Sequence, residues 1–520
     1  MGKEKHMPAN PGSRAPISSS LSSSIDSHAL HEECGVVGAV SFKNHDVAPL
    51  LYRSLIALQH RGQDAAGMAV WDAGSKKISL QKGLGLVTDA FSESALSSLC
   101  GPVGIAHVRY PTIGSGRLED AQPFMESQPF GGIALAHNGN IANYGTVRAS
   151  LEGSGRSFCS TCDADLILAV LIKHLKTAKL DIFKAVSLSM DELDGSYSVC
   201  AVTGRGELIV YRDPHAMRPL VWGKNDDFIM FCSESTALDI NDMPLRGDIG
   251  PGEALVVDAG GHIHKRQLIA KPQPRHCMFE YVYFSRPDSV AQGRLIYNVR
   301  KELGRRLAKT APVRADIVVA VPDTSRPAAE GYSQASGIPM EEGLMKNRYV
   351  GRTFIMSSQS KRLAAVKLKL NAVRPLVEGK RIVLIDDSIV RGTTSGPILK
   401  LLRAAGAKEI HLRIACPPVI APCFYGVDLP TYEELAAAKN SVEEIRKMVG
   451  ADSLAYVSVD DLVASIGLKK SDLCLGCVSG DYPTKWGNEI AALLKKHGSD
   501  PNVRVWEQAH PGRGLRGGSC

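Results

Sequence analysis

From Cys34 onward, apolar residues gather in short runs separated by Gly-containing turns: CGVVGAVSF, GIAHVRY, GGIALAHNGN, GSYSVCAVTG, ELIVYRDP, FIMFCSES and GEALVVDAGG. Runs of this length and make-up read as strands. Helical stretches intervene at Ala48–Leu58 and Asp163–Leu175. The pattern to about residue 270 predicts an α+β sandwich, antiparallel sheets packed between helices. The grammar changes after KPQPR (271–275), which reads as a linker. DIVVAVP (316–322) precedes a helical run at Arg326–Ser336, RIVLIDD (381–387) precedes one at Ser395–Ala405, and IHLRIA (410–415) follows. Continuous apolar strands alternating with helices predict an α/β parallel sheet buried on both faces. Thr431 with Glu434 and Ser441 with Glu444 read as capping boxes that open helices. The chain therefore divides into a leader (1–33), two domains (34–270 and 271–498) and a flexible tail (499–520). The leader has eight serines between Ser13 and Ser27 and few large aliphatics, too little apolar surface to offset its ordering entropy.

Composition narrows the class. The chain has 520 residues, 44% apolar and 22% charged, with net charge +7, which is ordinary globular make-up. No run of about 18 residues is dominantly apolar, so no transmembrane helix is expected. The mild charge, without a block of like residues, gives no case for nucleic acid. Twelve cysteines at this length do not make a disulfide scaffold, and the N-terminus has no apolar signal core. The expectation is a soluble cytoplasmic protein, bound to neither membrane nor nucleic acid, whose thiols are free to act as nucleophiles or ligands.

The sharpest feature is RIVLIDDSIVRGTT, Arg381–Thr394. A strand ends in Asp386-Asp387, and small and hydroxyl residues lead into a helix. Ligands of open α/β sheets bind at the carboxyl ends of strands, and a helix N-terminus aims backbone N–H groups at phosphate. Ser388, Thr393 and Thr394 add hydroxyl donors, and Gly392 lets the backbone come close. The two carboxylates sit where a ribose diol or Mg²⁺ would lie. The segment resembles the signature of type I phosphoribosyltransferases, which bind phosphoribosyl pyrophosphate (PRPP). That resemblance implies that Asp386 and Asp387 contact the ribose hydroxyls and that Ser388, Arg391, Gly392, Thr393 and Thr394 hold the 5′-phosphate. Val321–Pro327, after another buried strand, suits the pyrophosphate. The basic stretch Lys346–Leu370, with Lys346 and Arg352, reads as a lid that closes over a polyanion.

Cys34 opens a buried strand directly after the leader. If the leader is removed, its own α-amino group, with a pKa of about 8, can activate the thiol. ECGVVG (33–38), LQHRGQDAAG (58–67), HVRYPTIG (107–114), AHNGN (136–140) and TCDADLI (161–167), in that order, resemble N-terminal-nucleophile glutamine amidotransferases. The resemblance implies Cys34 as nucleophile, Arg109 on the glutamine α-carboxylate, Asp163 on its α-amino group, and the Asn138 side chain with the Gly139 N–H as oxyanion hole. HVRYPT stands here where that family commonly has HTRYST, with Arg109 unchanged.

Cys474-Leu475-Gly476-Cys477 is a C-x-x-C motif, and Cys277 and Cys423 sit in RHCMFEYVYFSRPDS and PPVIAPCFYG. Four thiolates can hold Zn²⁺ or an iron–sulfur cluster, and the spacing alone does not choose. The contexts resemble the branch of the amidotransferases that carries a structural [4Fe–4S] cluster at these positions.

From residue 34 to about 500 the chain resembles the glutamine phosphoribosylpyrophosphate amidotransferase family. This implies release of NH₃ from glutamine at one site and its attack on PRPP at another, with Mg²⁺ near Ser325, Asp386 and Asp387. It also implies purine-nucleotide feedback inhibition and a homotetramer. Glucosamine-6-phosphate and asparagine synthetases share only the first half of this pattern, since their second halves need other loops. A non-catalytic PRPP-binding regulator would have no need of Cys34.

Overall fold

The computed structural model describes residues 34–110, 117–347, 368–429 and 431–498. Its first half is built on two antiparallel sheets. One has seven strands, in the order 245–248, 221–224, 228–232, 35–41, 103–109, 65–72 and 77–84. The other has six, in the order 263–267, 253–257, 208–212, 195–203, 133–141 and 124–126. Their inner faces meet in one apolar layer, with Val36, Ile105 and Phe231 from the first and Ala136, Val202 and Val210 from the second. The outer face of the first is covered by the helix Ala48–Ala57, that of the second by Asp163–Thr177 and Ile182–Glu192. This layering explains why the inner strands Gly35–Ser41 and Gly195–Thr203 are buried throughout instead of alternating, whereas the edge strands Lys77–Leu84 and Ile263–Gln267 are exposed or half-buried. Every residue of Gly35–Ser41 is buried, because one side faces the other sheet and the other faces a helix. The expected α+β sandwich is present.

The second half holds a four-stranded parallel sheet, ordered 317–320, 381–386, 409–414 and 453–456. Its helices include Ile296–Thr310, Arg326–Ser336 and Ser395–Ala404. The strand Arg381–Asp386 is central, so the acidic pair emerges mid-sheet, where the flanking loops converge. Leu344–Lys346 pairs with Leu370–Ala372, a short antiparallel ladder at the base of the basic stretch. Residues 348–367 of that stretch, with Arg352, lie outside the described residues, as do the leader and the tail.

One capping expectation fails. Ser441 caps Val442–Val449 in a full capping box with Glu444. Thr431 opens no helix: the next one is Ala436–Lys439, with Leu435 at its N-cap. The Glu434 carboxylate, which would have closed that box, accepts from Arg391 Nη2 at 3.1 Å instead. Among the described residues no helix is long and apolar enough to cross a membrane.

Candidate active site

Cys34 immediately precedes the strand Gly35–Ser41, which pairs with Val103–Arg109 in the register Gly35↔Val108. That register brings Cys34 to the end of the strand carrying Arg109, and Cys34 Sγ lies 3.5 Å from Tyr110 O. The backbone of Arg109 is approached closely by Gly62 of the LQHRGQ motif. A Cβ on Gly62 would stand 2.6 Å from Arg109 N and C, so only glycine fits there. Arg109 is buried in the interior of the sheet, not a charge on a surface edge.

The second sheet supplies the facing residues. Asn138 and Gly139 lie inside the strand Ile133–Ile141, paired with Ser198 and Tyr197, and not in a turn. Gly139 has φ +149°, and a Cβ there would stand 2.0 Å from Ser196 O. Asn138 Nδ2 is buried with no hydrogen-bond partner among the described residues. A buried donor left unmatched is costly unless a ligand completes it. Asp163 is the first residue of the helix Asp163–Thr177, with Cys162 at the N-cap. Its Oδ1 accepts from His137 Nε2 at 2.9 Å, and its Oδ2 is buried with no side-chain or backbone hydrogen bond at normal length among the described residues. Burial pushes the Asp163 carboxyl up, but His137 outweighs it, and the net position is below the ordinary value. The two sheets are tied at this corner by His107 Nε2, which donates to His137 O at 3.1 Å. Burial holds the His107 imidazole well below its ordinary pKa, so it stays neutral. Cys34, Arg109, Asn138, Gly139 and Asp163 are thus gathered at one corner of the sandwich.

In the second half, Asp386 is buried at the end of its strand and Asp387 follows it into the loop. Burial, then Asp387, pushes the Asp386 carboxyl well above the ordinary range, with the Ser325 hydroxyl working against the rise. Burial raises Asp387 to about 6, against a pull from Ser388 and Arg300. Two adjacent carboxyls held out of water in this way favour a cation beside them. Ser388 Oγ donates to Asp387 Oδ1 at 2.7 Å. Gly392 turns the loop at φ +74°. Arg391 presents Nε and Nη1, both buried and without a partner among the described residues. Thr393 and Thr394 are exposed where the helix Ser395–Ala404 begins. Across the loop, Lys346 Nζ lies 3.3 Å from Asp323 Oδ2, which puts it beside the segment Val321–Pro327.

The four motif cysteines come together as well. Cys277 and Cys474 are register partners on two parallel strands. Cys477 O accepts from Ile420 N and Ala421 N at 2.9 and 3.0 Å. Cys423 Sγ accepts the Tyr425 N–H at 3.3 Å. All four thiols line one pocket with Arg218, Tyr425 and Tyr482. Burial pushes the Cys474 thiol up to about 12 and the Cys477 thiol well above its ordinary value. Among the described residues, no group of three or more His, Cys, Asp or Glu has the arrangement needed to hold a metal ion.

A glutamine amidotransferase domain model matches residues 110–240, and a phosphoribosyl transferase domain model matches 288–418. An amidophosphoribosyltransferase of Methanothermobacter thermautotrophicus is 47% identical over 89% of this chain and 97% of its own length. The chain belongs to the amidophosphoribosyltransferase family. The Bacillus subtilis relative is 44% identical over 88% of this chain and 95% of its own. A solved structure of the glutamine PRPP amidotransferase from that organism, complexed with ADP and GMP, superposes with a TM-score of 0.81 at 41% identity, covering 87% of this chain and 98% of that one.

This amidophosphoribosyltransferase family member also contains a buried ion network that the sequence did not announce. Arg61 donates to Glu234 through Nε and to Glu280 through Nη2, the latter at 2.5 Å. His60 Nε2 lies 2.7 Å from Glu234 Oε1, and Ser289 Oγ donates to Glu234 Oε2 at 2.6 Å. Burial pushes both carboxyls up, but Arg61 reverses this and leaves each below its ordinary value. Glu234 belongs to the first half and Glu280 to the second, so the network bolts the two together. Arg300, also buried, donates to Tyr281 O and Ser285 O at 2.9 and 2.7 Å. Burial lowers its pKa to about 10, and the Asp387 charge counters the drop, so it links this seam to the acidic pair.

Proposed function

We propose that this chain catalyses glutamine + PRPP + H₂O → 5-phosphoribosylamine + glutamate + pyrophosphate, the entry step of purine synthesis. The observation that carries the reading is that one folded chain holds both a corner with Cys34, Arg109, Asn138 and Asp163 and a mid-sheet loop with Asp386-Asp387. In this reading the glutaminase half runs from 34 to 270 and the phosphoribosyltransferase half from 271 to 498. Removal of the leader frees the Cys34 amino group, which takes the thiol proton as sulfur attacks the glutamine carboxamide carbon. Arg109 and Asp163 Oδ2 hold the two charged ends of the amino acid, and Asn138 Nδ2 with the Gly139 N–H receives the oxyanion. The amine returns its proton to the departing nitrogen, NH₃ leaves, and water cleaves the thioester to glutamate. Asp386 and Asp387 orient the ribose hydroxyls. Ser388, Arg391, Gly392, Thr393 and Thr394 cradle the 5′-phosphate, and Lys346 and Arg352 close over the substrate. NH₃ displaces pyrophosphate at the anomeric carbon and then loses a proton. A closed site and a passage between the halves keep the ammonia unprotonated. Mg²⁺, which phosphoribosyltransferases generally use, would be held by Ser325, Asp386 and Asp387 and supply positive charge for the leaving pyrophosphate. The four cysteines, which line one pocket, would hold a [4Fe–4S] cluster, as the resemblance of their surrounding motifs implies. Purine-nucleotide inhibition, a homotetramer and a cytoplasmic location complete the proposal. The test is the Cys34→Ala enzyme: it loses product formation from glutamine and retains it from added ammonia. Full glutamine use by this variant would remove the nucleophile assignment.

A further inference from the structure

The strand that carries Asn138 and Gly139 is held on its far side by the second half of the chain. Asn140 is fully buried, and its Nδ2 donates to Phe424 O at 2.8 Å. Ser196 Oγ accepts the Asn140 N–H at 3.3 Å and donates to Tyr425 O at 2.7 Å. Arg218 donates to the same Tyr425 O through Nε at 2.9 Å and Nη2 at 2.8 Å. Ser198, the register partner of Asn138, donates its Oγ to Arg218 O at 3.0 Å. Gly426 turns at φ +101°, and a Cβ on it would stand 3.2 Å from Gly139 C. Gly139 is therefore confined between Ser196 O on one side and the Gly426 backbone on the other.

The clamping segment is itself anchored in the second half. Tyr425 Oη and Thr484 Oγ1 are 3.0 Å apart, and the Tyr425 ring packs edge-on against Tyr482. The Tyr425 N–H is bound by Cys423 Sγ. These contacts reach the strand Ile133–Ile141 through Asn140, which donates to Phe424 O, and through Gly139, which the Gly426 backbone approaches, so the second half bears directly on the strand whose donors must meet a developing oxyanion. Such donors act only when held within a few tenths of an ångström of the charge.

We propose that Asn140 is a positioning residue for the glutamine half-reaction, fixing the Asn138–Gly139 donors through the backbone of Phe424–Gly426. The proposal rests on the reading of those donors as the oxyanion hole. It makes the second half a structural part of the first half's active site, beyond any exchange of ammonia.

The test uses the full chain with Asn140→Ala and, separately, Gly426→Ala, whose added methyl would stand 3.0 Å from Arg218 Nη2 and 3.2 Å from Gly139 C. In each, kcat with glutamine should fall by roughly 10-fold or more, as for a misplaced oxyanion donor. The KM for glutamine, the rate with ammonia and the rate of Cys34 alkylation by iodoacetamide should stay within about twofold, because none of them uses the oxyanion hole. If either variant does not fold, Ser196→Ala, which deletes only a hydroxyl, carries the same expectation. An equal fall with ammonia, a higher KM at unchanged kcat, or no change in either variant would overturn the proposal. Cys34→Ala serves as the control on the parent reading. If it still hydrolyses glutamine, the site assignment has failed; if it does not while the other variants behave as wild type, this inference alone has failed.

Discussion

The imidazole of His137 donates from Nε2 to Asp163 Oδ1 at 2.9 Å, and this bond settles which oxygen of the carboxylate is left for a ligand. Oδ1 is engaged and Oδ2 remains buried with no hydrogen bond at normal length among the described residues. The same bond preserves the charge of Asp163, which burial alone would push toward protonation. His137→Ala should therefore raise the KM for glutamine by about 10-fold or more, the size of one charge-assisted hydrogen bond at roughly 1.5–3 kcal/mol. The ammonia-dependent rate should not change. Steady-state kinetics with each nitrogen source in turn checks this.

Gly139→Ala is expected to be far more damaging than its one methyl group suggests. The new Cβ would stand 2.0 Å from Ser196 O, on a backbone at φ +149°. Overpacking and a left-handed conformation each cost roughly 1–3 kcal/mol. Urea unfolding should show the loss of stability, and glutamine turnover should be lost with it.

Asp387→Asn should abolish product formation with glutamine and with ammonia alike, since the damage lies on the sugar side. Alkylation of Cys34 by iodoacetamide should proceed as in the wild type. A variant that still made product from ammonia at the wild-type rate would exclude the acidic pair from PRPP binding.

Acid should dissolve the seam between the halves. The Glu234 and Glu280 carboxyls lie below their ordinary value of 4.5 in the folded chain, because Arg61 outweighs burial. Groups depressed in this way stabilise the fold above the unfolded pKa and lose that contribution as pH falls through the folded one. The contribution of these two carboxylates to melting temperature, read as the difference between wild type and a Glu234→Gln variant, should be constant near neutrality and shrink below about pH 4.5. Glu234→Gln should lower the melting temperature already at pH 7, since losing one partner of a buried pair costs roughly 3–5 kcal/mol.

The strands and main helices were legible because apolar runs bounded by glycine encode them directly, and Arg326–Ser336 appears where its pattern placed it. Cys34, Arg109, Asn138 and Asp386 stood out because each lies in a short motif. The seam did not. Arg61 and Glu280 are 219 residues apart, and neither has a neighbour in sequence that reveals a buried ionic partner. Arg61 lies inside LQHRGQ, so the motif marked the place without disclosing its partners. Likewise Thr431 and Glu434 had the spacing of a capping box, but local spacing could not show that Arg391 would claim the carboxylate.

Arg61 takes one carboxylate from each half of the polypeptide. Cutting the chain at KPQPR would put Glu280 on a different piece from both of its ion-pair partners, Arg61 and Arg218. A gene split at that point would thus divide one buried network between two pieces, whereas the covalent link keeps the amine donor and the sugar acceptor at a single stoichiometry.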